Sequence, residues 1–132
     1  MFTKEDLVYV YTRQQAIEDG EQVDVSSLAK EAGFKYPVFI TRTIFDKYIK
    51  PDEEALSYGQ DKTGRIWDVL TVLRFENQHK RFRQGNTEQE ILFHVLFVMG
   101  SKRQKVQLKA TVGALDIDDP QPAITIMLPE ED

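Results

Sequence analysis

The stretch Ile91-Leu-Phe-His-Val-Leu-Phe-Val-Met99 decides the fold class, because its apolar residues are β-branched, aromatic and spaced for a strand. It predicts a strand over Glu90–Met99 that carries apolar side chains on both faces. Such a strand is typical of the centre of a sheet, where layers cover both sides. The same pattern is compatible with a sheet that a second copy of the chain completes, which makes a homo-oligomer one expected arrangement.

Two more strands are predicted downstream. Val106–Val112 and Ile124–Leu128 both alternate apolar and polar side chains, and Pro129 ends the second run. The connecting segments Gly100–Gln104 and Gly113–Pro122 contain turn residues and are predicted to be loops. The last third of the chain therefore predicts a three-stranded antiparallel meander.

A helix is predicted over Arg65–Phe75, upstream of these strands. Its apolar side chains recur at helical spacing and indicate a buried face formed by Ile66, Val69, Leu70 and Leu73. Trp67 and Phe75 are expected to widen that face. A further helix is predicted over Thr41–Ile49, where apolar side chains again share one side.

Signals for the start and the end of two short helices lie between residues 11 and 33. Thr12 and Gln15 have the spacing of a capping box, and Gly20 can end that helix in the left-handed conformation. Asp24 or Ser26 then caps a second helix, which the next glycine ends. Residues 7–11 are apolar and aromatic, and predict an extra N-terminal strand.

These elements together predict an α+β fold, with three to four short helices packed on the three-stranded antiparallel sheet. At 132 residues the chain has the length of one domain. We expect a single domain over residues 1–132, helical up to about residue 76 and β-stranded over about 88–129.

The amino-acid composition excludes several kinds of functional site. The chain has no cysteine, which excludes disulfides, thiolate metal sites and a cysteine nucleophile. The two histidines have no carboxylate partners at the spacing of a metal site. The longest apolar run is too short for a membrane helix, and the first residues lack the pattern of a secretory signal. We therefore expect a cytoplasmic protein that uses no cofactor, metal or membrane.

The charge is distributed unevenly. The net charge is −5, yet the segment from Arg74 to Lys109 contains eight basic and three acidic residues. Phe75 and Phe82 are interleaved with arginines there, as in surfaces that stack nucleic-acid bases. One hypothesis is therefore a nucleic-acid-associated factor whose contact residues are Arg74, Lys80, Arg81, Arg83, Lys102, Arg103 and Lys105.

Arg13 and Arg65 stand near predicted helix starts, where the positive end of the helix dipole disfavours a cation. We expect them to serve an ion pair at the edge of the core or an anionic partner. The carboxylates of Asp19, Asp24 and Asp68 raise a further hypothesis, a small enzyme that acts on an anionic, nucleotide-like substrate.

Three segments carry a resemblance to a known family: "YTRQQAIEDGEQVDVSSLAKEAGFKYPVFIT" (11–41), "DKTGRIWDVL" (61–70) and "ITIMLPEED" (124–132). In this order they resemble a family of small proteins of unknown function carried on bacterial plasmids, phages and other mobile elements. The resemblance spans nearly the whole chain, although residues 79–105 depart from the family pattern. It implies a bacterial or phage cytoplasmic accessory protein and brings no activity.

With no nucleophile–base pair or phosphate loop in the sequence, the main hypothesis is a non-enzymatic protein that acts by stoichiometric contact with another protein. Antagonism of a host defence system is one concrete form. The candidate contact residues, chosen among positions that match the family, are Arg13, Asp19, Arg65, Trp67 and Asp68.

Overall fold

The chain was analysed as a computed structural model, which describes residues 11–50, 61–80, 89–99 and 102–131. Over these ranges it contains both helices and a sheet, which confirms the α+β class. In chain order the elements are α1 (Arg13–Glu18), β1 (Gln22–Asp24), α2 (Ser26–Glu31), β2 (Val38–Thr41), α3 (Arg42–Ile44), a π-helical turn (Phe45–Ile49), α4 (Lys62–Lys80), β3 (Gln89–Met99), β4 (Lys102–Asp116) and β5 (Asp119–Met127).

The described strands form one sheet of five in the order β1-β2-β5-β4-β3, not the predicted sheet of three. The antiparallel meander β3-β4-β5 is present as predicted. Two short strands extend it, because β2 pairs in parallel with β5 and antiparallel with β1. Strands of three and four residues are too short to show an alternating pattern, so the sequence gives them no signal. Most of the predicted strand at residues 7–11 lies outside the described residues.

The prediction of a central, doubly covered strand at residues 90–99 is wrong. β3 lies at the end of the strand order, and Leu92 and Leu96 on its outer side are 44% and 60% exposed. The doubly covered strand is instead β5, where every residue of 123–127 is buried. Apolar residues on both faces of β3 therefore reflect an exposed apolar surface rather than a second covering layer.

Each predicted hairpin loop is shorter than expected, since β4 runs from Lys102 to Asp116 and β5 begins at Asp119. Pro120 and Pro122 lie inside β5. Ile124, two residues on, directs its N–H to the carbonyl of Pro37 and away from β4. By the strand alternation Pro122 also points away from the β4 ladder, so its missing N–H group removes no hydrogen bond from it, while Pro120 lies at the register shift between β4 and β5.

The sheet has two faces of different character. On the core face, Ile40, Ile126, Ala110 and Ile91 are aligned across four strands and belong to the main hydrophobic cluster. Helix α4 covers this face with the predicted residues Ile66, Val69, Leu70 and Leu73. On the outer face the equivalent row is Phe39, Thr125, Thr111 and Glu90.

Helix α4 is longer than predicted, and two of its aromatic residues do not join the core. Trp67 is 40% exposed and Phe75 is 56% exposed, so the prediction that they widen the buried face is wrong. Their positions leave them beside the apolar stripe rather than on it. The predicted helix over Thr41–Ile49 is present, but its second half is π-helical, with Lys50 N–H donating to the Phe45 carbonyl.

The predicted start of the first short helix and the glycine ends of both are confirmed, but the predicted cap of the second by Asp24 or Ser26 is not, because Val25 occupies its N-cap position without a side-chain cap. Thr12 and Gln15 form a reciprocal capping box at the start of α1. Gly20 and Gly33 follow the two helices with φ of 77° and 101°, the left-handed region that favours glycine. Asp24 accepts a hydrogen bond from the Ser26 N–H at 2.9 Å, which supports the start of α2.

Candidate functional site

Arg13 lies on the outer face of the sheet, with its guanidinium 4.3 Å from the centroid of the Phe39 ring. Its Nε donates to the Leu115 carbonyl at 2.6 Å. Its Nη1 donates to Gln22 Oε1 at 2.9 Å and to Thr125 Oγ1 at 3.0 Å. Burial lowers the pKa of this guanidinium, and two nearby carboxylates oppose the shift. Arg13 therefore ties α1 to strands β1, β4 and β5 as a charged group.

Asp116, at the end of β4, caps the start of α1. Its carboxylate accepts hydrogen bonds from the N–H groups of Ile117 at 2.9 Å and of Arg13 and Gln14 at 3.1 Å each. These bonds, the one from Ile117 most strongly, hold the pKa of Asp116 below its ordinary value of 3.8, although desolvation acts in the opposite direction. The charged form of Asp116 is thus favoured in the folded protein.

The depressed pKa of Asp116 predicts how its contribution depends on pH. A carboxyl group with a lowered folded-state pKa stabilises the fold above its unfolded value of 3.8, and this stabilisation is lost as pH falls through the folded-state value. Wild type should be more stable than Asp116→Asn at neutral pH, and the difference should shrink below about pH 4. Urea unfolding of both proteins from neutral pH to below about pH 4 measures this difference in the free energy of unfolding. A difference that is constant with pH would contradict the prediction.

Arg65 lies in the interior, where it is only 2% exposed. Its Nη1 donates to the Tyr48 carbonyl at 2.7 Å and approaches Met99 Sδ at 3.9 Å, and its Nη2 donates to the Val98 carbonyl. These acceptors are backbone carbonyls and a sulfur, and the charge of Asp68 also interacts with Arg65. Arg65 thereby joins the π-helical turn, α4 and the end of β3.

Asp19 lies at the C-terminal end of α1. Its Oδ2 accepts a hydrogen bond from the Tyr11 hydroxyl at 2.9 Å. Tyr11 also lines an open pocket of about 300 Å³ together with Arg13, Asp116 and Ile117. This open pocket offers few polar groups to a ligand, because Arg13 and Asp116 already use their polar atoms in the internal hydrogen bonds described above.

Trp67 lies between two grooves that run along the junction of α2 and α4. One groove, of about 480 Å³, is lined by residues that include Leu28, Glu31, Trp67 and Asp68. The other, of about 420 Å³, is lined by residues that include Glu31, Trp67, Thr71 and Phe75. The two grooves share Glu31 and Trp67 and so form one continuous surface. We call it the Trp67 surface, formed by Leu28, Glu31, Trp67, Asp68, Thr71 and Phe75.

A fixed junction positions the Trp67 surface. Arg74 Nη1 donates to the Ala32 carbonyl at 2.6 Å, which ties α4 to the C-terminal end of α2. Gly33 makes this contact possible, because a Cβ atom at that position would collide with the Arg74 guanidinium. The two helices that carry the surface are therefore held in one relative orientation.

Acidic side chains line the same groove as Trp67. Glu31 and Asp68 lie on the Trp67 surface, and Asp61 lines the groove at its edge. Partial desolvation raises the pKa of Asp68, and the positive charge of Arg65 opposes the shift. Asp61 is already engaged, because its Oδ1 accepts the Gly64 N–H at 2.6 Å at the start of α4. The first groove thus combines the indole with carboxylates, while the second groove is also lined by Arg74.

The five predicted contact residues lie in three places. Trp67 and Asp68 share the Trp67 surface. Arg65, on the same helix, turns into the core, while Arg13 and Asp19 belong to α1 on the other side of the sheet. Of the predicted carboxylates, Asp68 lies on the Trp67 surface, whereas Asp19 follows α1 and Asp24, on β1, is close enough to Arg13 to influence its pKa. In the described ranges, no group of three or more His, Cys, Asp or Glu side chains is placed to hold a metal ion.

The predicted nucleic-acid residues are also dispersed where the structure describes them. Arg103 and Lys105 are exposed on the outer face of β4, and Lys102 alternates to the core-face side. Arg74 lies on α4, where it is bonded to α2. The side chain of Lys80, and all of Arg81 and Arg83, lie outside the described residues.

The contribution of α2 to the Trp67 surface was not predicted from the sequence. Leu28 and Glu31 complete the Trp67 surface, but α2 has only six residues, too few to show which side faces α4. The exposure of Trp67, in contrast, has a local signal in the sequence. Trp67 is one residue past Ile66 in a stripe that Val69, Leu70 and Leu73 continue, which places it at the margin of the buried face.

The described helices include none with the length and apolarity that a membrane-spanning segment requires. In comparisons with known proteins, no curated protein and no solved structure matches the chain significantly. A protein-family comparison does match: residues 1–132 correspond to the family described as "Family of unknown function (DUF6573)". Because that match covers every residue, the chain belongs to the DUF6573 family.

Proposed function

We propose that this protein is a non-enzymatic accessory protein that acts by stoichiometric contact with another protein through the Trp67 surface. The observation that carries the proposal is the placement of Trp67, which is 40% exposed between two adjoining grooves on a fixed helix pair. A bacterial plasmid, phage or other mobile element is its proposed origin, on the strength of the segment resemblance. The proposed location is the cytoplasm, and blocking a host defence protein is one concrete form of the activity.

Exposed tryptophan is costly to leave in water and is enriched among residues that dominate binding energy at protein interfaces. Phe75, 56% exposed, extends the apolar area along α4, and Leu28 extends it onto α2. Rigid aromatic groups on a fixed scaffold lose little entropy on binding. These features favour a macromolecular partner that covers the indole.

The charges on the Trp67 surface indicate the chemistry of that partner. Glu31 and Asp68 line the first groove with Trp67, while Arg74 in the second groove is bonded to Ala32. The matching surface should therefore present basic side chains to the first groove, beside an apolar pocket. We therefore propose a partner surface rich in arginine or lysine around an aliphatic or aromatic pocket.

The test is affinity capture with a matched control. Immobilised wild type, Trp67→Ala and Tyr36→Ala are incubated with nuclease-treated bacterial lysates, and bound proteins are quantified by mass spectrometry. Tyr36 is 47% exposed and is absent from the linings of both grooves, so it controls for loss of an exposed aromatic ring. A partner retained by wild type and Tyr36→Ala should bind Trp67→Ala at least about 30-fold more weakly.

Two outcomes would contradict the proposal. One is that no protein is retained at stoichiometric levels from any lysate. The other is that Trp67→Ala retains the same partner with the affinity of wild type. Circular dichroism of the variants ensures that a loss of binding is not a loss of folding.

Nucleic-acid association is the second candidate, since Arg103 and Lys105 are exposed on one face of β4. Binding through these cations should weaken steeply with salt, because it releases counterions from the phosphates. A fluorescence titration with a single-stranded oligonucleotide at low and moderate salt distinguishes it from contact through Trp67. The enzymatic alternative is less favoured, because Asp68 lies on the Trp67 surface and not with Asp19 and Asp24, which lie near α1 on the other side of the sheet.

A further inference from the structure

We propose that two copies of this chain associate by antiparallel pairing of their β3 strands across a two-fold axis at His94. The proposal concerns the edge of β3 that is free among the described strands, and it uses no residue of the Trp67 surface. It rests on three observations: the direction of the backbone groups along β3, the side chains exposed beside them, and the symmetry of that sequence about His94.

The backbone directions follow from the ladder. The N–H of Ile124 donates to the Pro37 carbonyl on the β2 side, so even-numbered residues of β5 point to β2 and odd-numbered ones to β4. By the same alternation, even-numbered residues of β4 bond to the odd-numbered residues of β3. Leu92, His94 and Leu96 therefore direct their N–H and C=O groups to the free edge.

This edge lacks the features that usually prevent strands from associating. The β3–β4 register is continuous from residue 89 to residue 99, without a bulge, and the strand contains neither proline nor lysine. On the outer face Leu92 is 44% exposed and Leu96 is 60% exposed. The Val98 carbonyl accepts a hydrogen bond from the Arg65 guanidinium, so the open part of the edge ends before Val98.

The sequence along this edge is self-complementary. With His94 opposite His94 of the second copy, Leu92 falls opposite Leu96 of the second copy, and Leu96 opposite its Leu92. Each hydrogen-bonded pair in an antiparallel ladder exchanges two bonds, so these three pairs contribute about six. The pairing gathers four exposed leucine side chains around the axis and removes them from water.

Charges at the ends of the paired segment also match. Val98 lies beside Arg103 on β4. In the proposed register Val98 faces Glu90 of the second copy. Arg103 and that glutamate therefore share one cross-strand row, within reach of each other across the small valine. The arrangement places two such opposite-charge pairs outside the leucine cluster, and it selects the two-fold register over shifted ones.

Cysteine cross-linking tests the register, and the chain offers a clean background because it contains no cysteine. His94→Cys should form a disulfide-linked dimer on mild oxidation, since residues opposite each other have Cα atoms about 5.5 Å apart. Leu92→Cys alone should not cross-link, because its two copies lie about 14 Å apart along the strands. A mixture of Leu92→Cys and Leu96→Cys should cross-link.

Charge substitutions test the association itself, measured as molar mass by light scattering at about 100 µM protein, which populates a dimer of micromolar Kd. Wild type should have twice the chain mass of 15.3 kDa. Leu92→Lys/Leu96→Lys should be monomeric, because it opposes like charges. Leu92→Glu/Leu96→Lys, equally polar, should remain dimeric, because it opposes a carboxylate and an ammonium group across the axis.

The proposal is overturned if wild type is monomeric at this concentration, or if His94→Cys fails to cross-link while wild type is dimeric. It is also overturned if the two charge variants have the same mass, since that result places the interface elsewhere or in another register. Capture of a strand from a different protein by the same edge, with wild type alone monomeric, would likewise exclude self-association.

Discussion

Replacement of Arg65 by alanine is expected to lower the free energy of unfolding by about 4 kcal/mol. The substitution removes a side chain that is only 2% exposed and leaves a cavity beneath the π-helical turn. It also removes the donors to the Tyr48 and Val98 carbonyls. A polar group that loses its partner in the interior bears most of its desolvation cost. Urea denaturation measures the loss as a shift of the midpoint by about 2 M.

Two further variants separate the causes of that loss. Arg65→Met fills most of the space without donating hydrogen bonds, so it should recover the cavity cost and still be less stable by about 2 kcal/mol. Arg65→Lys keeps the charge, but its single ammonium group cannot reproduce the geometry of a planar guanidinium that reaches two carbonyls. If Arg65→Met were as stable as wild type, the hydrogen bonds to Tyr48 and Val98 would have no role in holding the turn to β3.

Replacement of Arg13 by alanine is expected to cost about 3 kcal/mol. The guanidinium joins α1 to three strands through Leu115, Gln22 and Thr125, and it also stacks on Phe39. The side chain is only partly buried, so water can replace some of these bonds and the cost is below that for Arg65. Thermal unfolding followed by circular dichroism measures the change.

Arg13→Lys is the matched variant for this position. Lysine can satisfy one of the acceptors but not all of them, and it stacks on the Phe39 ring less well than a planar group. We expect its stability to lie closer to that of Arg13→Ala than to wild type. A wild-type melting temperature for Arg13→Ala would show that α1 is held to the sheet by other contacts, and would return Arg13 to the set of free surface cations.

The parts of the fold that the sequence predicted are those with strong local signals. The capping box at Thr12 and Gln15 and the left-handed glycines at 20 and 33 depend on neighbouring residues alone. The apolar stripe of α4 is long enough for its period to be unambiguous. The same reasoning identified the meander, whose strands are long and alternate.

The parts that it could not predict depend on distant pairings. The strand order is set by the parallel contact between β2 and β5, in which paired residues such as Val38 and Ile124 are 86 positions apart in the chain. That contact places β5 inside the sheet and leaves β3 at the edge of the described strands. The local sequence therefore could not show that the outer residues Leu92 and Leu96 are exposed. The same limit applies to the arginines, since the carbonyls that Arg65 contacts lie on elements that the sequence cannot place beside it.

The candidate site shows a similar division. Trp67 and Asp68 were selected from the sequence, and they lie together on one surface. Arg13 and Arg65 were selected with them because a cation near a helix start is unusual. In each case the structure supplies internal acceptors for the guanidinium. Polar residues that match a family pattern can therefore maintain a backbone arrangement, while the contact surface is carried by an exposed aromatic residue among them.

The claim that Trp67 is an exposed contact residue is tested most directly by its fluorescence, because it is the only tryptophan in the chain. We expect native protein to show red-shifted emission that acrylamide quenches efficiently, and the captured partner to shift the emission to the blue and protect it from quenching. Blue-shifted emission that resists quenching in the isolated native protein would place the indole in the core, and would contradict the assignment of Trp67 as the contact residue.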